Sequence, residues 1–201
     1  MDNTVFNALK PPVPTPSDER AVKTDMLIRK KATDVERWSK RESLASQWDE
    51  RAAIAAELIP ADASVLDLGC GAMALRRFLK SGCKYFPADV VSRGPSTYVI
   101  DLNKNEFPPG NFDYIVMLGV VEYIHDARVL LDRTREQGGN LIVTYCTNTA
   151  LDLHARRGMG WVNDFSDAEF QLLLRAAGWA IERSAAIKRG VNNIQMLFKC
   201  R

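Results

Sequence analysis

The stretch Val65-Leu66-Asp67-Leu68-Gly69-Cys70-Gly71-Ala72-Met73-Ala74-Leu75 decides the fold. Its first four residues, three of them apolar, read as a buried strand. Gly69-Cys70-Gly71 breaks that strand, and residues 74–80 read as a helix. Strand, glycine turn and helix in that order open a layered α/β fold. The glycines permit positive φ and let a ligand come close to the main chain. In an open α/β sheet, ligands sit beyond the carboxyl ends of the strands, where this turn falls.

Downstream, residues 85–91 and 98–102 read as further short strands. Tyr114-Ile115-Val116-Met117-Leu118 is the continuous apolar run of a central strand covered on both faces. Residues 127–137 read as a helix capped by Asp126, and residues 141–145 as another buried strand. Ser166-Asp167-Ala168-Glu169 forms a capping box, followed on one helix face by Phe170, Leu173, Leu174 and Ala177, with Gly178 as the stop. Two final strands flank Arg189-Gly190. In the last, Ile194, Met196, Phe198 and Cys200 alternate with Gln195, Leu197 and Lys199, the period of an antiparallel hairpin. Upstream, Thr33-Asp34-Val35-Glu36 fits a capping box, and Leu44, Trp48, Ala52, Ala55 and Ile59 follow at helical spacing until Pro60. The pattern predicts α/β architecture around a mostly parallel sheet, with a C-terminal antiparallel hairpin. Pro11-Pro12-Val13-Pro14-Thr15-Pro16 and the charged run after it predict a flexible Pro-rich and charged extension over residues 1–32, with one domain over 33–201.

The composition is that of an ordinary globular protein: 201 residues, 46% hydrophobic and 26% charged. Lys plus Arg number 27 and Asp plus Glu 25, a net charge of +2, so charge gives no reason to expect nucleic-acid binding. No run approaches the ~18 apolar residues that cross a bilayer, so no membrane partner is expected. Met1-Asp2-Asn3-Thr4 lacks a secretory pattern. Cys70, Cys83, Cys146 and Cys200 are widely spread, without a CxxC pair or a histidine cluster, which argues against a metal site or a disulfide framework. A cytoplasmic protein with reduced thiols is the expectation. The sequence assigns no oligomeric state.

Taken literally, Gly69-x-Gly71-x-x-Ala74 satisfies a dinucleotide fingerprint, with Asp89 at the distance of a ribose-binding acid. Asp67 weighs against that reading. A carboxylate two residues before the first glycine would repel a pyrophosphate, whereas a ligand with a cationic amino or sulfonium group would be attracted to it.

At this point the chain resembles the class I S-adenosylmethionine-dependent methyltransferases, over about its last two thirds. Residues 65–71 are similar to that family's first motif, a strand ending in an acid and then Gly-x-Gly. Tyr85-Phe86-Pro87-Ala88-Asp89-Val90 resembles the end of its second strand, Ile100-Asp101-Leu102 the end of its third, and Asn111-Phe112-Asp113-Tyr114-Ile115-Val116 the run into its fourth. Val121-Glu122-Tyr123-Ile124 is similar to the segment after that strand, with Tyr123 in place of a usual histidine. Met73 stands where a third glycine is common. The resemblance implies a Rossmann-like, doubly wound, seven-stranded sheet and S-adenosylmethionine as cofactor, in a compact member whose helices after residues 91 and 102 are reduced or missing. It assigns cofactor binding to Asp67, Gly69, Cys70, Gly71, Asp89, Val90, Asp101, Leu102 and Leu118. Asp89 would take the ribose hydroxyls and Asp101 the adenine amino group, with Leu102 and Phe107 against the ring. Asp113, before the strand, reads as a turn residue.

The acceptor side carries fewer signals. His125 follows the fourth strand and is the candidate base, with Tyr123 beside it as the other candidate catalytic residue. Tyr145, Trp161 and Asn163 are the candidate substrate-binding residues, on or after the fifth strand. Trp38 and Arg41 sit where a preceding helix could fold over the cofactor. The Asn/Asp/Ser-Pro-Pro-aromatic motif of methyltransferases that modify amino groups of nucleic-acid bases is absent, and Leu118-Gly119-Val120-Val121 stands in its place. The expected activity is methyl transfer from S-adenosylmethionine to a small-molecule acceptor. A non-catalytic module binding S-adenosylmethionine or S-adenosylhomocysteine and a nicotinamide-dependent oxidoreductase are the alternatives.

Overall fold

In the computed structural model, residues 16–44, 49–147, 152–188 and 194–201 are described. Three helices, α1 (Pro16–Lys30), α2 (Val35–Ser39) and α3 (Asp49–Glu57), precede β1 (Ser64–Leu68). Then follow β2 (Lys84–Asp89), β3 (Tyr98–Val99), β4 (Phe112–Leu118), α4 (Ala127–Gln137), β5 (Gly138–Cys146), α5 (Leu153–Gly158), α6 (Asp167–Ala176), β6 (Ile181–Lys188) and β7 (Ile194–Cys200). The strands form one seven-stranded sheet in the order β3-β2-β1-β4-β5-β7-β6. β1 to β5 pair in parallel, and β7 runs antiparallel to both β5 and β6. This is the expected Rossmann-like sheet with its closing hairpin. The chain reverses its direction of travel across the sheet between β1 and β4, so their carboxyl ends flank a crevice.

The period of two along the central strands divides the core between two faces. Leu66, Leu68, Ile115, Met117, Leu141, Val143 and Tyr145 pack on one face with α4, α6 and Trp179. Val65, Tyr114, Val116 and Ile142 pack on the other with Ala52, Ala55, Ala56 and Ile59. The α4 stripe of Ala127, Leu130, Leu131 and Thr134 has helical spacing, and Asp126 caps its first turn. The capping box of α6 is present, with Ser166 and Glu169 satisfying each other's backbone N–H.

Four expectations differ from the structure. Residues 74–80 make only a 3₁₀ turn at Leu75–Arg77, because Leu75 alone in that turn is buried and one apolar contact does not offset helix nucleation. At residues 33–36 the cap is Asp34, which accepts from Arg37 N–H, while Thr33 donates its hydroxyl elsewhere. Residues 16–30, expected to belong to a flexible extension, form α1 on α5. Ala21 and Thr24 are buried there, Thr24 Oγ1 donates to Arg157 O at 2.9 Å, and His154 pairs with Asp18 at 2.8 Å. That contact uses small residues, which no apolar stripe announces. Asp113 lies within β4, where its carboxylate accepts from Ser64 N and Oγ at the amino end of β1. Residues 1–15, Trp48 and the turn at Arg189-Gly190 lie outside the described residues. Among the described residues no helix is long and apolar enough to cross a membrane.

Trp179 is almost wholly buried, donates its indole N–H to Leu131 O and lies under Arg135. Trp179→Ala is expected to cost ~3–5 kcal/mol, read as a lowered urea midpoint with an unchanged slope.

Candidate active site

The turn after β1 is built by its backbone. Gly69 and Cys70 both donate N–H to Ala88 O, at 2.8 and 3.0 Å, which folds the turn back against β2. Gly69 has φ +70° and Gly71 φ +51°. A Cβ on Gly69 would come within 2.5 Å of a Val120 methyl carbon, so both the conformation and the space demand glycine. Met73 also has positive φ, at +54°. Its terminal methyl lies toward Gly94, and it does not line the crevice.

Beside this turn lies a cavity of about 460 Å³. Three buried carboxylates line it, each from the end of a strand or just beyond one. Asp67 of β1 accepts from the Tyr85 hydroxyl at 2.6 Å. Burial raises its pKa to about 7, reinforced by the like charge of Asp89 and opposed by Tyr85 and Arg51. Asp89 of β2 accepts from Gly71 N at 2.8 Å and Val91 N at 3.2 Å, and pairs with Arg93 at 3.3 Å. Asp101, just past β3, accepts from Thr33 Oγ1 at 2.6 Å and Asn103 N at 3.1 Å, with Lys104 at 3.7 Å. The remaining wall is largely apolar and includes Val90, Leu102, Leu118, Val120 and Ile124. All nine residues expected to bind cofactor line this cavity.

The segment from Thr33 to Leu44 covers it. Thr33, Trp38 and Leu44 line the cavity from this side. Trp38 meets the Tyr123 ring edge-on at 4.9 Å, and Arg37 lies over both rings. Arg37 also donates to Met159 O at 2.8 Å. Arg93 donates to Trp38 O at 2.9 Å while pairing with Asp89, so the cover is tied to the carboxylates beneath it.

On the acceptor side, only Tyr123 of the expected residues reaches the cavity. Burial raises its phenol pKa, and its hydroxyl accepts from Trp161 Nε1 at 3.3 Å. His125 does not line the cavity: its Nε2 is 3.1 Å from Ala32 O, and its backbone N–H donates to Asn103. Tyr145, Trp161 and Asn163 belong to a buried strut instead. Tyr145 donates to Asn163 Oδ1 and stacks on Phe170, while Asn163 Nδ2 donates to Val121 O and Ile124 O. Arg156, fully buried, ties this strut together through Asp164, Tyr145 and the carbonyls of Cys146, Thr147 and Asn163. Glu122 is buried outside the cavity and accepts from Cys146 N. Phe107 packs into the core, and Arg41 is not among the lining residues. The sequence reading missed Arg51, Thr33, Asn103 and Arg93. Arg51 lies against Gly119, where a Cβ would collide with its guanidinium, and Gly119 in a Leu-Gly-Val context was the available signal.

A buried acid whose pKa is raised on folding is a stability cost that grows as pH rises from the ordinary carboxylate range through about 7. Asp67→Asn, which keeps an acceptor for Tyr85, is therefore expected to stabilise the ligand-free protein by ~1–3 kcal/mol at pH 8 and by little at pH 4. Thermal melting at the two pH values checks this.

Among known proteins, a family profile described as a methyltransferase domain matches residues 37–184. No curated protein sequence matches the chain. Of solved structures, the 1,6-didemethyltoxoflavin-N1-methyltransferase of Burkholderia thailandensis, crystallised with 1,6-didemethyltoxoflavin and S-adenosylhomocysteine, aligns with a TM-score of 0.63 and 18% identity, over 96% of this chain and 92% of that one. The magnesium protoporphyrin IX methyltransferase of Synechocystis PCC 6803, crystallised with S-adenosylhomocysteine, aligns at 0.60 and 16%, over 91% and 99%. The cyclase SpnF aligns at 0.61 and 16%, over 76% and 80%. At such identities the likeness is one of fold, and the profile carries the assignment. The chain thus belongs to the methyltransferase-domain family.

Proposed function

We propose that the chain methylates a small-molecule acceptor and binds S-adenosylmethionine in the crevice beside the β1 turn. The row of Asp67, Asp89 and Asp101 along one apolar cavity carries this reading. The residues present suit the cofactor. Glycine at 69 and 71 leaves backbone approachable, and the carboxylates supply acceptors for an ammonium, a ribose diol and an adenine amino group. When bound, the cofactor supplies an electrophilic methyl on a cationic sulfur. Asp67 faces the cationic methionine end with Gly69, Cys70 and Gly71, Asp89 takes the ribose with Val90 beside it, and Asp101 and Leu102 take the adenine. Leu118 and Tyr123 wall the cavity next to the turn and exclude water from it. The protein's main contribution is alignment of donor and acceptor at attack distance.

An acceptor of small-molecule size fits a cavity covered by Trp38 and Leu44 rather than an open groove for a polymer. Neither histidine of the chain lines this cavity, so neither is assigned the role of a base. We take residues 33–201 as the methyltransferase unit, with α1 attached through α5. The four cysteines are free thiols, and we place the reaction in the reducing cytoplasm.

S-adenosylhomocysteine at 100 times its Kd is expected to stabilise the protein by about 2.7 kcal/mol, and NAD at equal concentration to leave the melting temperature unchanged. Asp89→Asn, which keeps an acceptor for Gly71 N–H, is expected to weaken S-adenosylhomocysteine at least tenfold in calorimetry. Unaltered affinity in that variant would overturn the ribose assignment.

A further inference from the structure

Asp67 is held by a side chain that does not itself line the cavity. β1 and β2 pair in parallel with Val65 opposite Tyr85 and Asp67 opposite Pro87. Tyr85 and Asp67 therefore share a face of the sheet two residues apart along the strands, about 7 Å. A phenol spans that offset, and its hydroxyl meets Asp67 Oδ2 at 2.6 Å. The Tyr85 ring packs against the apolar cluster of α3, β1 and β4, which fixes its direction. Its own pKa is driven far up by burial and by Asp67, so it remains a donor throughout the working pH range. Asp67 Oδ1 has no hydrogen-bond partner among the described residues and belongs to a carboxylate that lines the cavity.

Four groups face Asp67. Tyr85 and Asp89 come from β2, Arg51 from α3 and Cys70 from the turn. Burial and Asp89 favour the neutral acid, while Tyr85 and Arg51 favour the carboxylate. Burial keeps the Cys70 thiol protonated, so it adds no charge. Among the favourable partners, Tyr85 is the one whose hydrogen bond to the carboxylate is direct.

We propose that Tyr85 is a positioning residue for cofactor binding: its hydroxyl takes Oδ2 of Asp67, orients that carboxylate and leaves Oδ1 to the cationic end of the cofactor. This rests on the reading that Asp67 receives that end. Tyr85 is invisible to a description of the pocket wall, because it acts from behind the acid. A hydrogen bond donated to the ionised form favours it, so removing the hydroxyl makes Asp67 accept a proton at higher pH. A cation is then held less well at and below neutral pH and nearly as well above it.

The test is Tyr85→Phe, with S-adenosylhomocysteine affinity measured by calorimetry from pH 5.5 to 8.5. The ratio of variant to wild-type Kd cancels the ligand's own titration. It is expected to approach tenfold below pH 7, for a displacement of about one pH unit, and to fall toward one above pH 8. A ratio that is flat across the range, whether at one or above it, would overturn the role of Tyr85. Asp67→Asn separates the two levels of the argument. If it binds S-adenosylhomocysteine as tightly as wild type, the Asp67 reading itself is wrong. If it binds weakly while the Tyr85→Phe ratio is flat, only the Tyr85 inference fails. Ligand-free melting gives an independent readout: the loss of stability with rising pH should move to higher pH in Tyr85→Phe. An unmoved profile counts against the proposal even if ligand binding cannot be measured.

Discussion

A carboxylate at the end of a buried strand is the constraint around which this molecule is arranged. Asp67 sits buried in the sheet, between Leu66 and Leu68 in sequence, and ionises only with difficulty. Its neighbours follow from that position. Tyr85 supplies a donor from the adjacent strand, Arg51 supplies a positive field from α3, and the glycine turn keeps one side open. A buried acid so strongly perturbed, in the wall of a cavity, marks a candidate functional site.

The same logic organises the other two acids. Asp89 and Asp101 are not bare acceptors waiting for hydroxyls or amines. Backbone N–H groups of Gly71, Val91 and Asn103 hold their orientation, and Arg93 and Thr33 occupy part of their hydrogen-bonding capacity. The two carboxylates are thus held in place mainly by the main chain, with side chains in the second role.

How much of this was legible in the sequence follows from the range of each interaction. The sheet was readable because Val65-Leu66, residues 114–118 and residues 141–143 are contiguous apolar runs, and the hairpin because β7 alternates. The three acids and the glycines were readable because each is tied to a strand end by local chain geometry. Tyr145, Trp161 and Asn163 were misplaced because their partners, Arg156 and Phe170, are chosen by packing across the sheet and its loops. His125 points to Ala32 for the same reason. Arg51 escaped because nothing local distinguishes it from a solvated residue, and Thr33 because its capping-box pattern gave no sign of its bond to Asp101. The α1 helix escaped because it docks through Ala21, Thr24 and the space left by Gly158, not through large apolar groups.

The cover formed by residues 33–44 has a consequence for the carboxylates beneath it. It is fastened by polar contacts, Thr33 to Asp101, Arg93 to Trp38 and Arg37 to Met159, and by the Trp38 ring against Tyr123. Any loosening of residues 33–44 therefore reaches Asp89 and Asp101 directly, because Arg93 and Thr33 join that segment to both acids.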